Sequence, residues 1–153
     1  MSVIKAERDE GKLQVLTKAR DMMAYTITIC KNEKHFPKRD RWILTQHITG
    51  EAIQATMCIR RANAVRVEMK RDFDFRRSQQ VQAYSHLEAL LTLIEVAYNA
   101  LGLASDKVEY WTGLVLDVET YLQKWMRTDK RRYGEGKPEA ESAPEGSADK
   151  QDV

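Results

Sequence analysis

The chain reads as an all-α protein, an antiparallel up-and-down four-helix bundle, and three features of the sequence lead there. Wherever hydrophobic periodicity is strong it is helical, with apolar residues recurring in steps of three and four. All three prolines, Pro37, Pro138 and Pro144, stand outside the long periodic segments. Glycine is sparse before residue 134, so few interior positions weaken a helix.

The first helix is expected from about Asp9 to Lys31, where Leu16, Ala19, Met23, Thr26 and Cys30 form one stripe that Leu13, Ile27 and Ile29 widen. A basic link, NEKHF, leads to Pro37, whose fixed φ and missing N–H suit the first turn of a second helix. That helix runs to about Val65 on the stripe Thr45, Ile48, Ala52, Ala55, Ile59, Ala62, whose alanines let a neighbour approach closely. Residues 66–77, RVEMKRDFDFRR, alternate charge with little apolar order and read as an exposed connection or a frayed helical start. The third helix is expected from about Arg76 to Leu101 on Tyr84, Leu87, Leu91, Ile94, Tyr98 and Leu101, with Ala83, Leu90, Leu93 and Ala97 as a second flank. Gly102 suits the left-handed position that ends a helix, and Ser105 or Asp106 suits the cap of the next. The fourth helix extends to about Thr128 with Val108, Trp111, Val115, Val118, Leu122 and Trp125 inside. The domain is therefore residues 1–133, followed by a disordered acidic tail, 134–153, with no large apolar residue before its terminal valine.

The net charge of +2 is unevenly spread. Residues 135–153 hold Glu135, Glu139, Glu141, Glu145, Asp149 and Asp152 against Lys137 and Lys150, a balance of −4 that leaves +6 on residues 1–134. A basic body with an acidic appendage suits a phosphate-rich partner. With Cys30 and Cys58 alone, no CxxC and no zinc spacing, neither a disulfide scaffold nor a structural metal is expected, and a reducing cytoplasm is the natural compartment. MSVIKAERDE carries acids where a signal peptide needs an apolar run, and no uncharged apolar run is long enough to span a bilayer, so neither export nor membrane insertion is expected. P-loop, GxSxG, HExxH, GxGxxG and Glu-x-x-His patterns are all missing, so no cofactor and no catalytic residue are assigned.

Antiparallel packing gathers Arg60, Arg61, Arg66, Lys70, Arg71, Arg76, Arg77, Lys124, Arg127, Lys130, Arg131 and Arg132 at one pole, interrupted by Glu68, Asp72, Asp74 and Asp129. The other pole holds FPKRDRW, residues 36–42, where Lys38, Arg39 and Arg41 oppose the positive end of a helix dipole at roughly 0.3–1 kcal/mol each. An anion held there would offset that cost. The residues expected to touch nucleic acid are Lys38, Arg39, Arg41, Arg60, Arg61, Arg76, Arg77, Lys124, Arg127 and Arg131. Trp111 and Trp125 fall on the core stripe, whereas Trp42 stands among arginines where it can stack on a base, plug the bundle end or meet a subunit. Arg41 and His47 also resemble the arginine–histidine pair of the HEPN ribonucleases, helical bundles that act on RNA phosphate at a dimer seam.

The runs KLQVLTKARDMMAYTI, HFPKRDRW with LTQHITGEAI, RRSQQVQAYSHLEALLTLIEVAYNALGL and VEYWTGLVLDVETYLQKW resemble the four-helix-bundle family of rRNA intervening-sequence proteins, over about residues 10–127. Within that family the accessory variability determinants of diversity-generating retroelements are the functional reference. The resemblance implies a homopentameric barrel of bundles that binds RNA or DNA and a reverse transcriptase, as a non-catalytic accessory to mutagenic cDNA synthesis. The alternatives are a bundle that only binds protein or serves as structure, and a HEPN-like ribonuclease using Arg41 and His47.

Overall fold

The computed structural model describes the backbone of residues 2–134 and the side chains of residue 12 and residues 14–134. The expectations for Leu13 and for the acidic tail beyond Gly134 lie outside the described residues. Four α-helices occur among the described residues: α1 (Ser2–Lys31), α2 (Gln46–Ala64), α3 (Lys70–Leu101) and α4 (Ser105–Tyr133). No strand occurs among the described residues.

Each helix packs against its two neighbours in sequence order around a ring, α1 against α2 and α4, and α3 against α2 and α4. Side-chain pairs establish the antiparallel sense. Tyr25 meets Tyr110 and Lys18 reaches over Tyr121 between α1 and α4. Along α3 and α4, Phe73 meets Tyr133 while Tyr98 bonds Ser105. Between α2 and α3, Glu51 meets His86 and Ala62 meets Arg76.

The helix boundaries differ from expectation in informative ways. Residues 70–75 are helical, because Asp72 Oδ2 accepts the N–H groups of Glu68 and Met69 at 3.0 Å each and closes the first turn. Those two bonds also hold the Asp72 carboxyl below its ordinary pKa. The end of α3 is as expected: Gly102 is left-handed (φ 67°) and donates its N–H to Tyr98 O at 3.1 Å. The cap of α4 is Ala104, with no side-chain cap bond from Ser105 or Asp106. Before α2 the chain makes a 3₁₀ turn, Lys38–Asp40, and then a π-turn, Arg41–Thr45, in place of a regular helical start.

The core seam of α1 is Val15, Ala19, Met22, Thr26 and Ile29, one position from the expected stripe at Leu16 and Met23. On α3 the seam is Ala83, Leu87, Leu90, Ile94 and Ala97, while Tyr84 and Leu91 are pushed to the flank and Tyr98 is exposed. Alanines on this seam and at Ala52, Ala55 and Ala62 let α2 and α3 lie close, which leaves no room for tyrosine rings there. Expectation and structure agree on α4, where Trp111, Val115, Val118, Leu122 and Trp125 are buried. Trp111 donates its indole N–H to Thr26 Oγ1 at 2.9 Å, and Thr26 in turn donates to Met22 O at 2.8 Å, so a buried polar relay joins α4 to α1.

Candidate nucleic-acid interface

At the pole where α2 and α4 end, the expected basic residues divide into two groups by burial. Arg76 is a correction: it is 3% exposed and belongs to the bundle interior. Its guanidinium lies 3.6 Å from Asp129 Oδ1, its Nε–H donates to Ala62 O at 3.3 Å, and it covers the Trp125 ring at 5.3 Å. Gln80 Nε2 donates to the other Asp129 oxygen at 3.0 Å. Burial raises the Asp129 pKa, and Arg76, Gln80, Arg77 and Lys12 pull it back down. Arg77 is half-buried, donates to Met126 O at 2.6 Å and covers Phe73. Both arginines lie on the inward side of α3 because residues 70–77 continue the helix instead of forming a loose link.

The acids of this pole are also assigned. Glu68 pairs with Arg66 at 3.2 Å, Asp74 with Lys70 at 3.2 Å, and Asp129 with Arg76, while Asp72 closes the helix start. Arg60, Arg61, Lys124, Arg127 and Arg131 are exposed, and among the described residues none of them is in an ion pair. They form two corners instead of one patch, because α2 and α4 are diagonal in the ring. Lys124, Arg127 and Arg131 occupy successive turns on one face of α4, and Lys124 also extends over Tyr121 at 5.3 Å. Arg60 and Arg61 stand at the end of α2, where Arg61 interacts with the Cys58 thiol. Arg61 in the last turn of α2 and Arg131 in the last turn of α4 also complement the negative helix ends.

At the opposite pole Lys38, Arg39 and Arg41 are all exposed, and Lys38 pairs with Glu33 at 3.7 Å. Trp42 and Ile43 project from the π-turn at 70% and 75% exposure, so Trp42 does not plug the bundle end. Sequence patterning had no means of finding the cleft beside them, about 380 Å³, because its walls come from the end of α1, the link and the π-turn together. Arg41 lines that cleft and His47, which is exposed, does not. His86 contacts Glu51 at 2.7 Å across the α2–α3 seam, a structural position.

Burial pushes the Cys30 thiol up to about 12 and raises Cys58 as well, so neither is an activated nucleophile. Among the described residues no His, Cys, Asp and Glu group is arranged to hold a metal, and no helix is long and apolar enough to cross a membrane.

Comparison with protein-family models, curated proteins and solved structures finds no match.

Proposed function

We propose that this bundle is a non-catalytic nucleic-acid-binding adaptor that works as a homo-oligomer beside a reverse transcriptase. The observation that carries the nucleic-acid part is the Lys124–Arg127–Arg131 ridge, three exposed cations on one helix face with no acid partner among the described residues. The ridge runs about 10 Å along the helix axis, close to the rise of about three nucleotides of one strand. Arg60 and Arg61 form a second basic corner at the same end.

Oligomerisation, pentameric by the resemblance, is supported by the apolar side chains that the monomer leaves in water, among them Ile53 and Met57 one turn apart on α2 and Trp42 and Ile43 before it. The reverse transcriptase is carried by the sequence resemblance alone, and co-purification with a retroelement polymerase is its test. For the nucleic acid, fluorescence anisotropy with single-stranded RNA between 50 and 200 mM salt decides. Three phosphate contacts give a slope of log K against log salt of about −2. Binding that is absent at low salt, or insensitive to salt, leaves a protein-interaction bundle instead.

A further inference from the structure

We propose that the cleft between the end of α1 and the π-turn is a binding site for a phosphomonoester, borne by a free mononucleotide or by the 5′ end of a strand. The proposal stands on this cleft and is independent of the α4 ridge.

The charge of the walls matches that ligand. Lys31, Lys38 and Arg41 face the cleft, and the one acid beside them, Glu33, is paired with Lys38 at 3.7 Å. The balance is +2, and a phosphomonoester carries about −1.5 to −2 near neutral pH. The remaining wall is apolar at Ile27 and Phe36, which suits a sugar or base better than bulk water. At about 380 Å³ the cleft falls within the range of small-molecule sites.

The backbone of the wall is specialised as well. Arg41 and Thr45 are the first and last residues of the π-turn, and both line the cleft. A π-turn holds one residue more than a regular turn, so it offsets the preceding side chains by about 100° relative to a continuous α-helix. That offset accompanies the placement of Arg41 on the α1 side.

Calorimetry at 50 mM salt on the full chain tests this, with AMP, adenosine and inorganic phosphate as probes and with 5′-phosphorylated and 5′-hydroxyl RNA oligonucleotides of one sequence. AMP is expected to bind and adenosine not to. Arg41→Ala and Lys31→Ala, exposed positions that leave the core intact, are each expected to weaken AMP about tenfold through loss of a charge-assisted bond. Arg127→Glu is expected to leave AMP binding unchanged. A preference for the phosphorylated strand over its hydroxyl twin assigns the site to strand ends; equal strand affinities with AMP still bound assign it to free mononucleotides. The proposal is overturned if AMP gives no heat and the two strands bind alike, or if AMP binding survives Lys31→Ala combined with Arg41→Ala. Failure of both strands to bind counts against the adaptor reading, and AMP then still decides this one.

Discussion

Arg76 and Asp129 face each other at 3.6 Å with side-chain exposures of 4% and 2%, so an ion pair is sealed inside the very pole where Arg60, Arg61, Arg127 and Arg131 meet water. The pair joins three helices, because Arg76 on α3 also donates to the carbonyl of Ala62 in the last turn of α2 while Asp129 belongs to α4. Ion pairing of this kind is costly to desolvate and costlier to break.

Removing one partner strands the other charge. Arg76→Ala or Asp129→Ala is expected to destabilise the bundle by about 3–5 kcal/mol. Urea denaturation followed by circular dichroism measures this. The apolar double variant Arg76→Met with Asp129→Leu is expected to recover most of the loss, since no charge is left buried. A single variant as stable as the parent contradicts the assigned burial.

The exposed ridge should behave in the opposite way. Arg127→Glu with Arg131→Glu is expected to cost only about 1 kcal/mol of stability, from the loss of the Arg131 cation in the last turn of α4. The same variant is expected to weaken single-stranded RNA binding sharply and flatten its salt slope, read by anisotropy.

A pH dependence follows from Glu119, 7% exposed on α4, whose carboxyl is pushed from 4.5 to about 8 by burial and then by its hydrogen bond to Glu88 on α3. The folded state holds this proton where the unfolded chain has released it. Stability is therefore fully present below about 4.5 and declines as pH rises through about 8. Glu119→Gln keeps the shape and removes the titration, so its melting temperature should fall less over that interval. Parallel melting curves for parent and variant exclude the assignment.

The acidic segment gives a fourth expectation from charge alone. Ending the chain after Gly134 removes −4 and raises the net charge from +2 to +6. RNA association should become faster at low salt, with the difference vanishing at high salt. Stopped-flow mixing measures it.

Self-association should depend on α2. Ile53→Glu with Met57→Glu changes side chains that are each 36% exposed in the monomer, and it is expected to lower the mass seen by native mass spectrometry while helix content stays constant.

Much of the fold was legible in the sequence because helical patterning is local. The stripe Ile48, Ala52, Ala55, Ile59, Ala62 and the α4 series from Trp111 to Trp125 needed only a 3.6-residue repeat to be placed inside, and Gly102 needed only its freedom to take positive φ. On α1 and α3, Ala19, Thr26, Leu87 and Ile94 are buried as expected, whereas Leu16, Met23, Tyr84, Leu91 and Tyr98 give way to the residue before each, since apolar residues flank both candidate stripes and only the neighbouring helix chooses between them.

The site was less legible for a different reason. A charge in the sequence carries no sign of its burial, and Arg76 resembles Arg131 until Asp129, Ala62 and Trp125 are brought around it by α2 and α4. The sequence by itself determined that four amphipathic helices form, that α3 ends at Gly102 and how much positive charge the chain carries. Tertiary structure alone decided which cations face water, that the basic pole splits into two corners, and that Lys31, Lys38 and Arg41 border one cleft. Helix formation follows from residues three and four apart, whereas desolvation and charge pairing depend on groups tens of positions away.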